Sequence, residues 1–339
     1  MLQEALFAPQ AVARMLANDA DAYAALGRSL REQPPAALLT VARGSSDHAA
    51  HYMAYLIMAR LGRLVTSLPM SVVTLYQSQL VCEGIVSLAF SQSGQSPDLV
   101  APTNFFRAGG ARTVAFVNDP ASPLAQASQF VFPLHVGAET SVAATKSYIA
   151  QLVAGARVVA AWSGDDDLLA ALQQLPEALE RAAHQDWRVA VDVLKDADRL
   201  FVIGRGTSLP IAQEAALKFK ETCGIQAEAF SGAEVKHGPM ALVEEGYPML
   251  VFAPRGPTQA SLIALAEDMR GRGARVLLAA PEGMEGTKGA ELPLATTGNE
   301  DLDPIAAVQS FYPMVEALAR ARGLNPDQPR HLAKVTKTH

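Results

Sequence analysis

The sequence predicts an α/β protein built from two tandem, doubly wound, mainly parallel-sheet domains related by internal duplication. Three observations carry this expectation. Short apolar runs of strand length alternate with helical stretches through most of the chain. Residues 38–62, LLTVARGSSDHAAHYMAYLIMARLG, and residues 200–224, LFVIGRGTSLPIAQEAALKFKETCG, share one length and one plan. Their landmarks also keep a nearly constant offset: 206 − 44 = 162, 224 − 62 = 162 and 256 − 94 = 162 for single glycines, and 273 − 110 = 163 for the Gly-Ala-Arg triplets.

The elements follow in order. Residues 1–33 carry helical patterning, with Leu16, Ala20, Tyr23 and Leu26 on one stripe, and stop at Pro34-Pro35. Residues 37–42 read as a strand closed by Arg43-Gly44-Ser45-Ser46, and residues 48–61 as a helix ended by Gly62. β-Branched runs at 65–66 and 71–75 precede a second apolar strand, 85–90. That strand runs into SQSGQSPD and a helix over 99–108; strand 113–117 follows Gly109-Gly110. A strand-like stretch at 130–135 leads through a loop of small residues, 137–146, into a helix over 147–161. The expected divisions are a helical segment 1–33, a first domain 34–164, a helical connector 165–198, a second domain 199–323 and a tail 324–339.

Composition limits the function. Half the residues are hydrophobic, 18% are charged and the net charge is −6, which supplies a large core and argues against a nucleic-acid surface. Two cysteines, Cys82 and Cys223, are too few for a disulfide framework or a cysteine-based zinc site. The N-terminal residues lack a basic region followed by an apolar one, and no run of eighteen apolar residues occurs. A soluble, cytoplasmic protein without membrane contact is expected.

The two copies diverge where chemistry would divide them. The first has the serine loop at a strand end, where open α/β sheets bind ligands. Ser96 reads as a helix N-cap with Pro97 and Asp98 behind it. Hydroxyls and helix N–H groups without a lysine suit a monophosphate, with Ser45 and Ser46 able to converge on it. The counterpart in the second copy, residues 253–258, has lost every serine. The second copy instead has residues 213–239, QEAALKFKETCGIQAEAFSGAEVKHGP, with Glu214, Lys218 and Glu221 on one helix face and His237 in the KHGP turn. A carboxylate and a histidine can supply general acid and base groups. Read alone, these features are equally a capped turn, a solvated charge stripe and a loop histidine. Glu139 has no capping-box role to explain it, and Lys334 sits in a short polar tail that Leu332, Ala333 and Val335 could anchor.

Taken together, RGSS, SQSGQS, AETSVAATK, EAALKFKE, AEAFSGAEVKHGP and DQPRHLAKVTK resemble the tandem sugar-isomerase (SIS) domain family, in particular the isomerase half of glucosamine-6-phosphate synthase. The resemblance spans nearly the whole chain. It implies a phosphosugar ligand, fructose 6-phosphate or glucosamine 6-phosphate, with no metal and no cofactor. It assigns the phosphate to Ser46, Ser91, Gln92, Ser93 and Ser96, and the C1–C2 proton transfer to Glu221. Ring opening falls to His237, contributed by the neighbouring subunit of a homodimer, and Lys334 meets the open-chain carbonyl. Val142, Ala144, Lys218 and Ala333 take sugar-side positions; Ala144 stands where the family usually has serine. No glutaminase domain precedes the isomerase half in this sequence. The implied activity is therefore deamination of glucosamine 6-phosphate to fructose 6-phosphate and ammonia. The alternatives are another phosphosugar isomerase, a fructosamine-6-phosphate deglycase, or a non-catalytic sugar-phosphate sensor.

Overall fold

Strands form where the sequence is apolar on both faces, and they pair in parallel because helices link them. The computed structural model describes residues 1–283, 287 and 289–334; the last part of the predicted tail, 335–339 with Val335, lies outside the described residues. The first sheet contains β1 (Ala37–Val41), β2 (Val65–Ser67), β3 (Ile85–Ser91), β4 (Arg112–Val117) and β5 (Phe130–Pro133), in the order β2-β1-β3-β4-β5. The second contains β6 (Arg199–Gly204), β7 (Gln226–Ser231), β8 (Pro248–Phe252), β9 (Arg275–Ala280) and β10 (Leu292–Pro293). Its order, read from one edge, is β7-β6-β8-β9-β10. The two orders are the same, and every pairing is parallel. The duplication read from the glycine offsets is therefore a duplication of topology.

The glycines that mark the repeat are fixed by backbone conformation. Gly62 and Gly224 end equivalent helices, Ser45–Leu61 and Leu209–Cys223, each with φ 63°. Gly44 and Gly206, which open the turn after the first strand of each copy, lie at φ 56° and 61°. Only glycine adopts this left-handed region without cost.

The chain groups into two compact units. The first comprises residues 10–139, 146–173 and 333–334, and carries β1–β5. Its core joins Leu39 and Val41 of β1 and Ala89 of β3 to Leu99 and Phe106 of the following helix. Helix Lys146–Ser163 is buried along nearly its whole length, and Gly155 lets it approach Met53 of helix Ser45–Leu61. The second unit comprises residues 1–9, 140–145 and 174–332, and carries β6–β10. Phe201, Ile203, Met249, Val251, Leu262 and Leu278 form its core.

Two local expectations change. Residues 71–75, read as a β-branched run, contain a helical turn, Ser71–Thr74. Val72 and Val73 donate to the carbonyls of Pro69 and Met70, and the edge strand β2 pairs only with β1. Without a partner strand, β-propensity has nothing to act on. The strand expected over 130–135 stops at Pro133, because His135 takes φ 55°. Among the described residues no helix is long and apolar enough to cross a membrane.

Candidate functional site

In a sheet of order 2-1-3-4-5 the chain reverses direction between β1 and β3, and ligands bind beyond the strand ends at that point. In the first unit the turn after β1 and the serine loop after β3 flank it. A cavity of about 310 Å³ opens there, lined by Ser46, Ser91, Gln92, Ser93 and Ser96, the five residues expected at a phosphate. Arg43, Asp98 and Lys334 line it too.

The hydroxyls are wired as donors. Ser46 Oγ accepts from Gln151 Nε2 at 3.0 Å, Ser91 Oγ from the Gly94 amide at 3.0 Å, and Ser93 Oγ from the Gln95 amide at 3.3 Å. A hydroxyl that accepts one N–H keeps its own O–H to give. Ser96 is the N-cap of helix Pro97–Ala108, as the sequence predicts, yet its side chain makes no cap bond. The ordinary capped turn is thus not what holds Ser96. Gly94 has φ 63°, and a side chain there would collide with Ser122. The loop shape is set by this residue.

Lys334 Nζ donates to Glu139 Oε2 at 3.0 Å. Glu139 is buried and accepts from Ser147 twice: the backbone N–H at 3.1 Å and Oγ at 2.6 Å, at the start of helix Lys146–Ser163. The acid left unexplained by the sequence is the anchor of the tail lysine. Ala333, beside it, is exposed and does not line the cavity.

In the second unit the helical spacing does bring Glu214, Lys218 and Glu221 together. Lys218 Nζ lies 3.2 Å from Glu214 Oε1 and 2.6 Å from Glu221 Oε2. The side chains of Lys218 and Glu214 are 1% and 0% exposed, and that of Glu221 is 21% exposed. Burial opposes the charge on Lys218, but the two carboxylates outweigh it and hold its pKa above the ordinary lysine range. Tyr312 OH adds a hydrogen bond to Glu214 Oε1 at 3.3 Å. Glu221 opens onto a cavity of about 990 Å³ whose other walls include Lys220, Cys223, Arg322 and His331.

His237 is not in that wall. It ends a 3₁₀ turn, Glu234–His237, and is exposed. Val142 and Ala144 are half-buried in the 140–145 segment of the second unit, where Val142 N–H donates to the Asp327 carbonyl at 3.3 Å. Neither lines any of the cavities described here. Sequence reasoning missed Arg43, Gln151, Tyr312 and His331 as site neighbours. Gln151 alone had a signal, as a polar residue inside the apolar run IAQLVAG. Among the described residues no group of three or more His, Cys, Asp or Glu is placed to hold a metal.

The corresponding loop of the second copy is tied to the protein itself. Arg255 donates through Nε and Nη2 to the buried carboxylate of Asp303 at 2.6 and 2.9 Å, and through Nη2 to the Thr297 carbonyl at 2.8 Å. The loop that lost its serines has gained an internal ion pair.

Comparison with known proteins bears on the fold and the family. The SIS-domain profile matches residues 33–161 and 193–280. The chain is 34% identical over 311 residues to the isomerizing glutamine–fructose-6-phosphate aminotransferase of Zymomonas mobilis, covering 87% of this chain and 51% of that protein. It thus spans about half the length of the curated relatives it matches. The crystal structure of a candidate phosphosugar isomerase from Silicibacter pomeroyi DSS-3 superposes with a TM-score of 0.91 at 43% identity, covering 96% of this chain and 99% of that one. Glucosamine-6-phosphate deaminase from Thermotoga maritima shares the fold, with a TM-score of 0.78 at 20% identity and 99% of each chain covered.

Proposed function

Because the chain belongs to the SIS-domain family, we propose that it is a phosphosugar aldose–ketose isomerase/deaminase that converts glucosamine 6-phosphate to fructose 6-phosphate and ammonia. The observation that carries this reading is the cavity at the β1/β3 switch point, lined by four serines, Gln92 and Lys334. Its hydroxyl protons and the N–H groups opening helix Pro97–Ala108 suit a phosphate monoester. Binding energy from the phosphate then orients the reacting end of the sugar.

Glu221 is the base. Its Oε2 takes a hydrogen bond from Lys218 at 2.6 Å, which fixes the carboxylate, and Oε1 remains for the substrate. In the proposed sequence His237, from the partner of a homodimer, moves the proton that opens the pyranose ring. Glu221 carries a proton between C2 and C1, and water adds to the C2 imine to release ammonia. The exposure of His237 and its absence from the wall around Glu221 favour its service to a neighbouring subunit. Lys334 acts at the open-chain carbonyl.

The test is ammonia and fructose 6-phosphate release from glucosamine 6-phosphate by the purified protein without glutamine. Equal amounts of both are expected. Glu221→Gln should lower kcat about 10²–10⁴-fold while the sugar phosphate still binds. A variant with undiminished kcat removes Glu221 from the role. A wild-type protein that interconverts only nitrogen-free phosphosugars leaves isomerisation and removes deamination.

A further inference from the structure

The cavity wall holds a cation to which the resemblance gives no role. Arg43 follows β1, and its side chain is 59% exposed at the cavity wall. One hydrogen bond tethers it, from Nε to Asp98 Oδ2 at 3.1 Å. Of the five N–H donors of a guanidinium, this uses one; no bond from either η nitrogen to protein is made among the described residues. Asp98 is 5% exposed, sits in the first turn of helix Pro97–Ala108, and has no partner for Oδ1 among the described residues. A buried carboxylate with so little compensation keeps a guanidinium close.

The second copy provides the contrast. Arg205 is the counterpart of Arg43 by the constant offset, since 205 − 43 = 162. Its Nη1 reaches Ser261 Oγ at 3.3 Å, and no acid among the described residues holds it. The copy with the serine cavity is the one whose arginine is aimed by a buried aspartate.

We infer that Arg43 is a substrate-binding residue: it contacts the phosphate monoester through its η nitrogens while Nε stays on Asp98. This rests on the proposed function and deepens it by naming a charged contact beside the hydroxyls and amides of the serine loop. Guanidinium is suited to it because its planar fork can hold a carboxylate on one edge and a phosphate on another. An ammonium at the same place serves one partner at a time. Lys334, the other cation in the wall, is held by Glu139, which leaves Arg43 as the cation nearest to bulk solvent.

The test is calorimetric titration of the full chain with inorganic phosphate at neutral pH, which needs no assumption about the reaction. Arg43→Ala should weaken phosphate binding about 10- to 100-fold, the range for a hydrogen bond to a charged group. Arg43→Lys should recover only part of it. With glucosamine 6-phosphate, KM should rise by a similar factor and kcat stay within about threefold. A purely structural role is separated by Arg43→Ala/Asp98→Asn, which removes the orphaned charge. If that double variant binds phosphate as the wild type does, Arg43 only neutralises Asp98 and the inference falls. It falls equally if Arg43→Ala binds phosphate within about twofold of wild type. Wild-type protein that binds no phosphate overturns this inference and the phosphate site of the proposed function together. Binding by wild type with loss in Arg43→Ala supports Arg43 whether or not the amino sugar is turned over.

Discussion

Lys218 is a buried cation whose removal would be costly. It separates two carboxylates, one fully buried, and is itself buried. Lys218→Met would take its cation from the buried Glu214, a loss of about 3–5 kcal/mol for a broken buried pair. Denaturant unfolding would read it, and an unchanged midpoint would count against the triad. The pH dependence has a definite sign. The folded pKa is raised, so this stabilisation is complete below the ordinary lysine value of about 10.4 and is lost as pH rises through the raised value. Between neutrality and pH about 9 the contribution of Lys218 should therefore be flat. The i, i+3 and i, i+4 spacing of this group was legible in the sequence, because helical geometry alone aligns it. Tyr312, 98 residues from Glu214, was not. Neither was the Arg43–Asp98 pair, 55 residues apart, since only the sheet order brings the end of β1 beside the helix after β3.

At the scale of elements, helix ends and loop glycines carried most of the readable information. Proline at the first helical position and glycine just past the last mark helix Pro97–Ala108 at one end and helices Ser45–Leu61 and Leu209–Cys223 at the other. What the sequence could not give was which hydroxyls cap and which stay available. Ser96 occupies the cap position without capping, and Ser122, in a different loop, does cap its helix. The serine loop depends on Gly94. Gly94→Ala should cost about 1–3 kcal/mol for the left-handed backbone, with the added clash on Ser122 displacing the loop. The expected result is a lower melting temperature and a KM for the phosphosugar raised at least about tenfold. Wild-type KM in that variant would show that the loop tolerates another path. The helical turn Ser71–Thr74 was misread because β-branched residues announce a strand only where another strand is free to pair.

Across the whole molecule, the repeat was the strongest signal, and the two identical strand orders bear it out. The segments 1–33, 165–198 and 324–334 each contribute residues to both compact units. The ion pair between Arg255 and Asp303 has a consequence for stoichiometry. A duplicated fold invites the expectation of two equivalents of ligand per chain, with the possibility of cooperativity inside one polypeptide. With the loop of the second copy stripped of serines and its arginine paired to Asp303, saturation should come at one equivalent per chain along a simple hyperbola. A calorimetric titration that ends near two equivalents would mean that the pair opens for ligand.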